Sequence, residues 1–253
     1  MILDEIIRAT EARVLHLADR PAIDTSYRPV SLQGAIRSAA RARRHAVIAE
    51  LKYASPSRGT LECAIPPEAL AAEMIAGGCA ALSVLTEPSY FSGSIENLSR
   101  VRRVADAPIL RKDFIIDERQ LYETRALGAD AVLLIARVLG EELPSFVDLA
   151  SALGLEPLVE VHTREEAEAA LATDAGIIGI NNRDLRTMAI DLNTTRRLSD
   201  LVHDEGRLVV SESGICWPYD IKQLRDCCDA FLIGSAIMSA RNRQKRLEGF
   251  VFA

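Results

Sequence analysis

Ala46-Val47-Ile48-Ala49-Glu50-Leu51-Lys52 is a short apolar run that ends in two charges, two positions apart. A strand buried on both faces reads as a continuous apolar run, and a charge is costly to bury without a partner. The stretch therefore predicts a buried parallel strand whose C-terminal end opens onto a polar site. The pattern recurs along the chain. Pro108-Ile109-Leu110 runs into Arg111-Lys112-Asp113, Leu158-Val159 into Glu160, Gly179-Ile180 into Asn181-Asn182-Arg183, and Leu208-Val209-Val210 into Ser211-Glu212. Four further segments, 78–85, 129–135, 173–180 and 229–234, share a small or acidic lead-in before an apolar run. With the runs near 46–51, 108–112, 157–161 and 207–212 they make eight candidate strands, and the repeated set falls on every second one. Alternate strands fill the layers of a (β/α)8 barrel, and its active site lies at the C-terminal strand ends. A doubly wound sheet would gather its polar groups at one switch point. Here they are spread over many strand ends, so the prediction is an α/β chain folded as a (β/α)8, or TIM, barrel.

The rest of the chain agrees with that frame. Its 253 residues match the roughly 250 of one such barrel. No apolar run approaches the roughly 20 residues of a membrane helix, and Met1-Ile2-Leu3-Asp4-Glu5 places acid where a signal peptide needs base. A cytoplasmic location is expected. A net charge of −6 argues against nucleic-acid binding, and the arginines Arg37, Arg41, Arg43 and Arg44 read as a solvated helix face. Five cysteines, with no CxxC pair, argue against disulfide and zinc frameworks. Between the strands, Pro66-Pro67 opens a helix, Asp117 to Leu127 stops at Gly128, and Thr163-Arg164-Glu165-Glu166 has the spacing of a capping box. Residues 1–45 lie outside the repeat. Ile2, Leu3, Ile6, Ile7, Val14 and Leu15 form a helical stripe, and Ser31 is placed to cap a second helix. The expected organisation is one barrel domain over 1–253, with 1–45 as a helical extension.

Chemistry concentrates at the strand ends. Glu50 and Lys52 are two apart, so both point to one side of their strand, where each tunes the other's pKa. Lys112 is a candidate general acid or Schiff-base nucleophile. Glu160, flanked by apolar residues, is a candidate general base with a raised pKa. His162, two residues on, reads as a loop hydrogen-bonder. Asn181 and Arg183 are again two apart, and a planar Arg fork suits a carboxylate. Ser211-Glu212-Ser213-Gly214-Ile215 and Gly234-Ser235-Ala236 follow the seventh and eighth runs, where barrels commonly bind phosphate.

In order along the chain, these segments resemble indole-3-glycerol-phosphate synthase, the tryptophan-pathway enzyme, in its single-function form. The resemblance is carried by Ile48 to Lys52, Ala54-Ser55-Pro56-Ser57-Arg58-Gly59, Leu82 to Glu87, Tyr90 to Ser94, and Leu110 to Asp117. Further on it rests on Gly128 to Ile135, Leu158 to His162, Ile178 to Leu185, and Ser211 to Ile215. Tyr53 and Cys216-Trp217-Pro218 depart from the pattern and leave every catalytic position in place. The resemblance implies extra N-terminal helices over the barrel mouth. The implied substrate is 1-(2-carboxyphenylamino)-1-deoxyribulose 5-phosphate, which undergoes ring closure, decarboxylation and dehydration without cofactor or metal. In that chemistry Lys112 is the acid of ring closure, and Lys52 and Glu160 serve the dehydration. Glu50 holds both lysines, and Glu212 supports the polar network. Asn181 and Arg183 steer the carboxylate and hydroxyls. Ser55, Ser213, Gly214, Gly234 and Ser235 hold phosphate, and Phe91, Phe114, Leu133, Ile135 and Leu185 form the apolar wall. The partner is the small sugar phosphate alone, with no nucleic acid or membrane, in a monomer or weak homo-oligomer. Three rival readings are a Schiff-base aldolase using Lys112 or Lys52, phosphoribosylanthranilate isomerase, whose Cys and Asp pair is not evident here, and a barrel that only binds sugar phosphate.

Overall fold

The computed structural model describes residues 2–24, 26–55, 59–60, 65–184 and 186–253. Eight parallel strands close into a barrel: β1 (Ala46–Leu51), β2 (Ala81–Leu85), β3 (Ile109–Lys112), β4 (Ala131–Ile135), β5 (Glu156–Val161), β6 (Ile177–Asn181), β7 (Leu208–Glu212) and β8 (Ala230–Ile233). Each pairs with the next, and β8 returns to β1 with Ala230 beside Ala46. All eight coincide with the apolar runs read from the sequence, and the closed barrel excludes the doubly wound sheet.

The two faces of each strand do different work. Outward residues such as Val47, Ala49, Val84, Val132, Leu134, Val159 and Ile178 are buried against the helices. The helix Pro67–Ala76, for example, presents Leu70, Ala71 and Met74, and burying a side chain of Leu or Met size contributes roughly 1.5–3 kcal/mol. Inward residues, among them Ala46, Ile48, Leu110, Leu158, Ile177 and Val210, form a second apolar cluster inside the barrel. Above it, at the C-terminal strand ends, the inward positions turn charged: Glu50 on β1, Lys112 on β3, Glu160 on β5 and Glu212 on β7. All four come from odd-numbered strands, as one layer of a barrel interior requires.

The helix signals hold, with one informative difference. Asp117 caps the helix Glu118–Ala126, and Gly128 follows it with φ +82°, a conformation glycine adopts without Cβ strain. Thr163 accepts from the Glu166 amide at the start of the helix Arg164–Leu171. The Glu166 carboxylate, however, takes the backbone N–H of His162, one residue before the expected cap Thr163.

The N-terminal extension divides between the two ends of the barrel. Helix α1 (Ile2–Val14) lies over the mouth, with Ile2, Leu3 and Ile6 facing the cavity. Arg13 ties it down through a bidentate pair with buried Asp113, immediately after β3. Helix α2 (Leu32–Arg41), capped by Ser31, instead closes the opposite end. Its Leu32, Ile36 and Ala39 join the inward cluster beneath the strands. Ser31 and Gln33 bond Glu156 at the start of β5, and the Val30 amide bonds buried Asp130 just before β4. Only α1 therefore fulfils the expectation of helices over the mouth. The apolar stripe of α2 fits the uncovered floor, whose lining is apolar, whereas the mouth is charged.

Candidate active site

The barrel mouth gathers nearly every residue singled out from the sequence. Glu50, Lys52, Lys112, Glu160, Asn181, Arg183, Glu212, Ser213, Gly214, Gly234, Ser235, Phe91, Phe114, Leu133 and Ile135 all line one cavity. The side chain of Ser55 and the whole of Leu185 lie outside the described residues. Sequence reasoning missed Ile2, Leu3, Ile6, Met188 and Ile190, which share the same lining. No charge marks these positions; only the packing of α1 and of the segment after β6 brings them to the mouth.

Lys112 sits at the centre. Its Nζ lies 2.9 Å from Glu160 Oε2 and 3.4 Å from Glu212 Oε2. Burial alone would lower its pKa, but the carboxylates of Glu160, Glu212 and Glu50 raise it well above the usual lysine value. Lys52 pairs with Glu50 at 2.5 Å. Glu50 thus holds Lys52 directly, and acts on Lys112 through charge alone. The expected raised pKa of Glu160 is reversed. Burial would raise it, but the charge of Lys112, that of His162 whenever its ring is doubly protonated, and hydrogen bonds from Lys112 and Asn181 bring it below the ordinary value. Burial pushes Glu212 up instead, to about 8, and the charges of Glu160 and Glu50 add to the push against Lys112. Two like charges this close do not both ionise readily. Beside Lys112 the two acids are therefore driven apart, Glu160 toward its ionised form and Glu212 toward its protonated form.

Two glycines make room for these acids. A Cβ on Gly179 of β6 would strike the Glu212 carboxylate, and would come within 2.6 Å of Leu158 Cδ2. A Cβ on Gly234, just past β8, would strike Glu50 Oε1 and sit 3.1 Å from Glu50 Cβ and Cδ. Gly234, expected from the sequence to serve a phosphate loop, makes room for Glu50.

The rim is polar on one side and apolar on the other. Asn181 Oδ1 accepts from the Arg183 amide at 3.0 Å, and Arg183 Nη1 donates to the Met188 carbonyl at 3.1 Å. Asn182, fully buried, donates to Ser211 Oγ and to the carbonyls of Glu212 and Ser213, and accepts from Thr195. It locks the loop after β6 to the loop after β7. There Ser213 and Gly214 adopt φ +63° and +90°, turning the chain across the mouth. The short helix Ser235–Met238 begins directly after Gly234. Opposite, the rings of Phe91 and Phe114 lie 6.3 Å apart, tilted by 33°. The two departures from the family pattern are absorbed locally. Tyr53 donates to the Ile65 carbonyl, and Asp220 accepts from the amides of Cys216 and Trp217.

The family model described as indole-3-glycerol phosphate synthase matches residues 3–250. This chain belongs to the indole-3-glycerol phosphate synthase family. It is 46% identical over 222 residues to the indole-3-glycerol phosphate synthase of Carboxydothermus hydrogenoformans, covering 87% of this chain and 84% of the relative. To that of Acetivibrio thermocellus it is 41% identical over 261 residues, covering 99% of each. Among solved structures, the tryptophan synthase α subunit of Legionella pneumophila aligns with TM-score 0.65 at 12% identity, covering 87% of this chain and 96% of that one. Thiamine phosphate pyrophosphorylase of Pyrococcus furiosus aligns with TM-score 0.60 at 19% identity, covering 81% and 93%. These two likenesses are of fold alone.

Proposed function

We propose that the cluster at the mouth carries out the family's reaction by lysine and glutamate acid–base chemistry. The chain is a carbon–carbon lyase (EC 4.1.1.48). It converts 1-(2-carboxyphenylamino)-1-deoxyribulose 5-phosphate to indole-3-glycerol phosphate, carbon dioxide and water. The observation that carries the assignment of roles is Lys112, half-buried in the cavity and within 3.4 Å of both Glu160 and Glu212.

In the closing step the anthranilate ring carbon attacks the ketone carbon, and Lys112 delivers a proton to the ketone oxygen. Glu212, neutral at pH 7 and 3.4 Å behind Lys112, restores that proton. Loss of carbon dioxide then sends its bonding electrons to the substrate's own nitrogen system. In the dehydration Lys52 protonates the leaving hydroxyl, which departs as water, and Glu160 takes a proton from the neighbouring ring carbon. General acid–base steps of this kind contribute about 10²–10⁴-fold each. Arg183 holds the anthranilate carboxylate as a fork, and Asn181 orients it. Ser213, Gly214, Gly234 and Ser235, with Ser55, hold the phosphate. Phe91, Phe114, Leu133 and Ile135, with Leu185, flank the aromatic ring.

This reading takes 1–253 as one barrel domain with 1–45 as its extension, working in the cytoplasm as a monomer or weak homo-oligomer. No helix among the described residues is long and apolar enough to cross a membrane. The test is fluorescence detection of indoleglycerol phosphate from the purified chain and its substrate. Absence of product, with borohydride trapping a keto sugar phosphate on Lys112 or Lys52, would replace the reading with Schiff-base chemistry.

A further inference from the structure

His162 occupies a position that acid–base chemistry at Glu160 leaves unexplained. It lies just past β5, two residues beyond Glu160, where the turn of the chain brings its ring to face that carboxylate. Its Nδ1 is 3.3 Å from Glu166 Oε2, and its backbone amide donates to the same oxygen at 2.7 Å. Arg137 Nε donates to the other oxygen, Oε1, at 2.8 Å. Burial would raise the Glu166 pKa, but these bonds hold the carboxyl below its ordinary value. Glu166 is therefore ionised and only accepts hydrogen bonds, so the His162 nitrogen facing it, Nδ1, carries a proton. The other nitrogen, Nε2, is fully buried and has no hydrogen-bond partner among the described residues. It faces Glu160 Oε1 at 3.5 Å. In the singly protonated ring this opposes a lone pair to a carboxylate oxygen, and a buried polar atom left unbonded is costly.

A proton on Glu160 Oε1 supplies the missing bond. We propose that His162 is a positioning residue for Glu160: Nε2, aimed by Glu166 and Arg137, accepts the hydrogen bond of Glu160 once that carboxylate has taken the substrate's proton. The inference rests on Glu160 being the base of the dehydration. Within the step the C–H bond of the substrate breaks, its proton moves to Oε1, and its electron pair forms the ring double bond as water leaves. The ring of His162 gains a hydrogen bond and gives up no atom. Glu160 Oε2 keeps its bond to Lys112 throughout, so the two carboxylate oxygens divide the work.

The groups that face this pair are Glu160 on β5, Glu166 on the following helix, Arg137 on the helix Ala136–Leu139, and Lys112 and Glu212 across the barrel. A doubly protonated His162 has no acceptor to offer and adds a positive charge that makes Glu160 a poorer base. Activity should therefore fall on acidification once the ring takes up its second proton.

The experiment measures kcat and KM from pH 5 to 9 for the wild-type chain, His162→Gln, His162→Ala, Glu166→Gln and Glu160→Gln, with circular dichroism as a control on folding. His162→Ala should lower kcat roughly tenfold, the worth of one hydrogen bond in the transition state, with KM nearly constant. His162→Gln keeps an acceptor oxygen, so it should recover part of the loss and flatten the acidic limb. Any slope near pH 8 that belongs to Glu212 should remain. Glu166→Gln should reproduce the kcat loss of His162→Ala with the ring intact, because an amide donor there turns the lone pair to Nδ1. An unchanged acidic limb in His162→Gln, or full kcat in both Glu166→Gln and His162→Ala, would overturn the proposal. Should His162→Ala fail to fold, His162→Gln and Glu166→Gln decide alone. Near-full turnover by Glu160→Gln would instead remove the base assignment on which the inference stands.

Discussion

Replacing Gly234 by alanine tests how closely the acids of this site are fitted. The new Cβ would sit 3.1 Å from Glu50 Cβ and Cδ and closer still to Oε1. Carbon atoms in ordinary contact sit roughly 3.5–4.0 Å apart, so the carboxylate must retreat by about 0.5–1 Å. The backbone at Gly234 has φ −114°, which alanine adopts freely, so the strain falls on Glu50 alone. Glu50 is the ion partner of Lys52 at 2.5 Å, and a retreat of this size breaks that contact. Overpacking typically costs about 1–3 kcal/mol of stability, and a displacement of about 1 Å at a catalytic group costs up to about 10²-fold in rate. We expect Gly234→Ala to lower kcat by roughly 10- to 100-fold. Binding of inorganic phosphate, measured by calorimetry, should weaken far less, since a methyl group leaves the amides of Ser235 and Ala236 in place. Continuous fluorescence of the product gives kcat, and urea unfolding gives stability. Full kcat with a selective loss of phosphate affinity would refute the argument and return Gly234 to a purely phosphate-binding role.

Three further outcomes follow from the same cluster. Lys112→Ala should lower kcat by about 10²–10⁴-fold with a smaller change in substrate affinity, and turnover near the wild-type value would remove its role as acid. Arg183→Lys keeps the charge and loses the planar fork, so calorimetry should show weaker binding of an anthranilate-bearing analogue, and equal affinity would count against the carboxylate contact. Glu212 has a folded pKa raised to about 8 from 4.5, so its contribution to stability is full below about pH 4.5 and is lost as pH rises to about 8. Glu212→Gln should flatten that decline in thermal midpoint against pH, whereas curves parallel to wild type would show that Glu212 ionises normally.

Much of this was readable from the chain. The barrel was legible because its strands are buried on both faces, and because each charged inward residue interrupts an apolar run. What stayed hidden depends on which strands become neighbours. Gly234 and Glu50 are far apart in sequence, and the close contact between them exists only because β8 closes onto β1. The division of protons between Glu160 and Glu212 is set by distances to Lys112, which no spacing encodes. The amphipathic stripe of α2 announces a buried face without saying which end of the barrel receives it. His162 was legible as a loop hydrogen-bonder, and its bond to Glu166 fits that reading. Its facing of Glu160 follows from the turn taken after β5.

The split of the N-terminal extension gives the two ends of the barrel different lifetimes. Helix α2 supplies the floor of the inward cluster, and its Leu32 and Ile36 are almost wholly buried. Its backbone amides should therefore exchange with solvent mainly when the barrel itself opens. Helix α1 rests on the mouth through Arg13 and a few apolar side chains. It can therefore detach in a local opening that leaves the barrel closed, and such openings cost far less free energy than global unfolding. Two helices adjacent in sequence should thus open as separate cooperative units, with the faster-exchanging one lying over the mouth cavity.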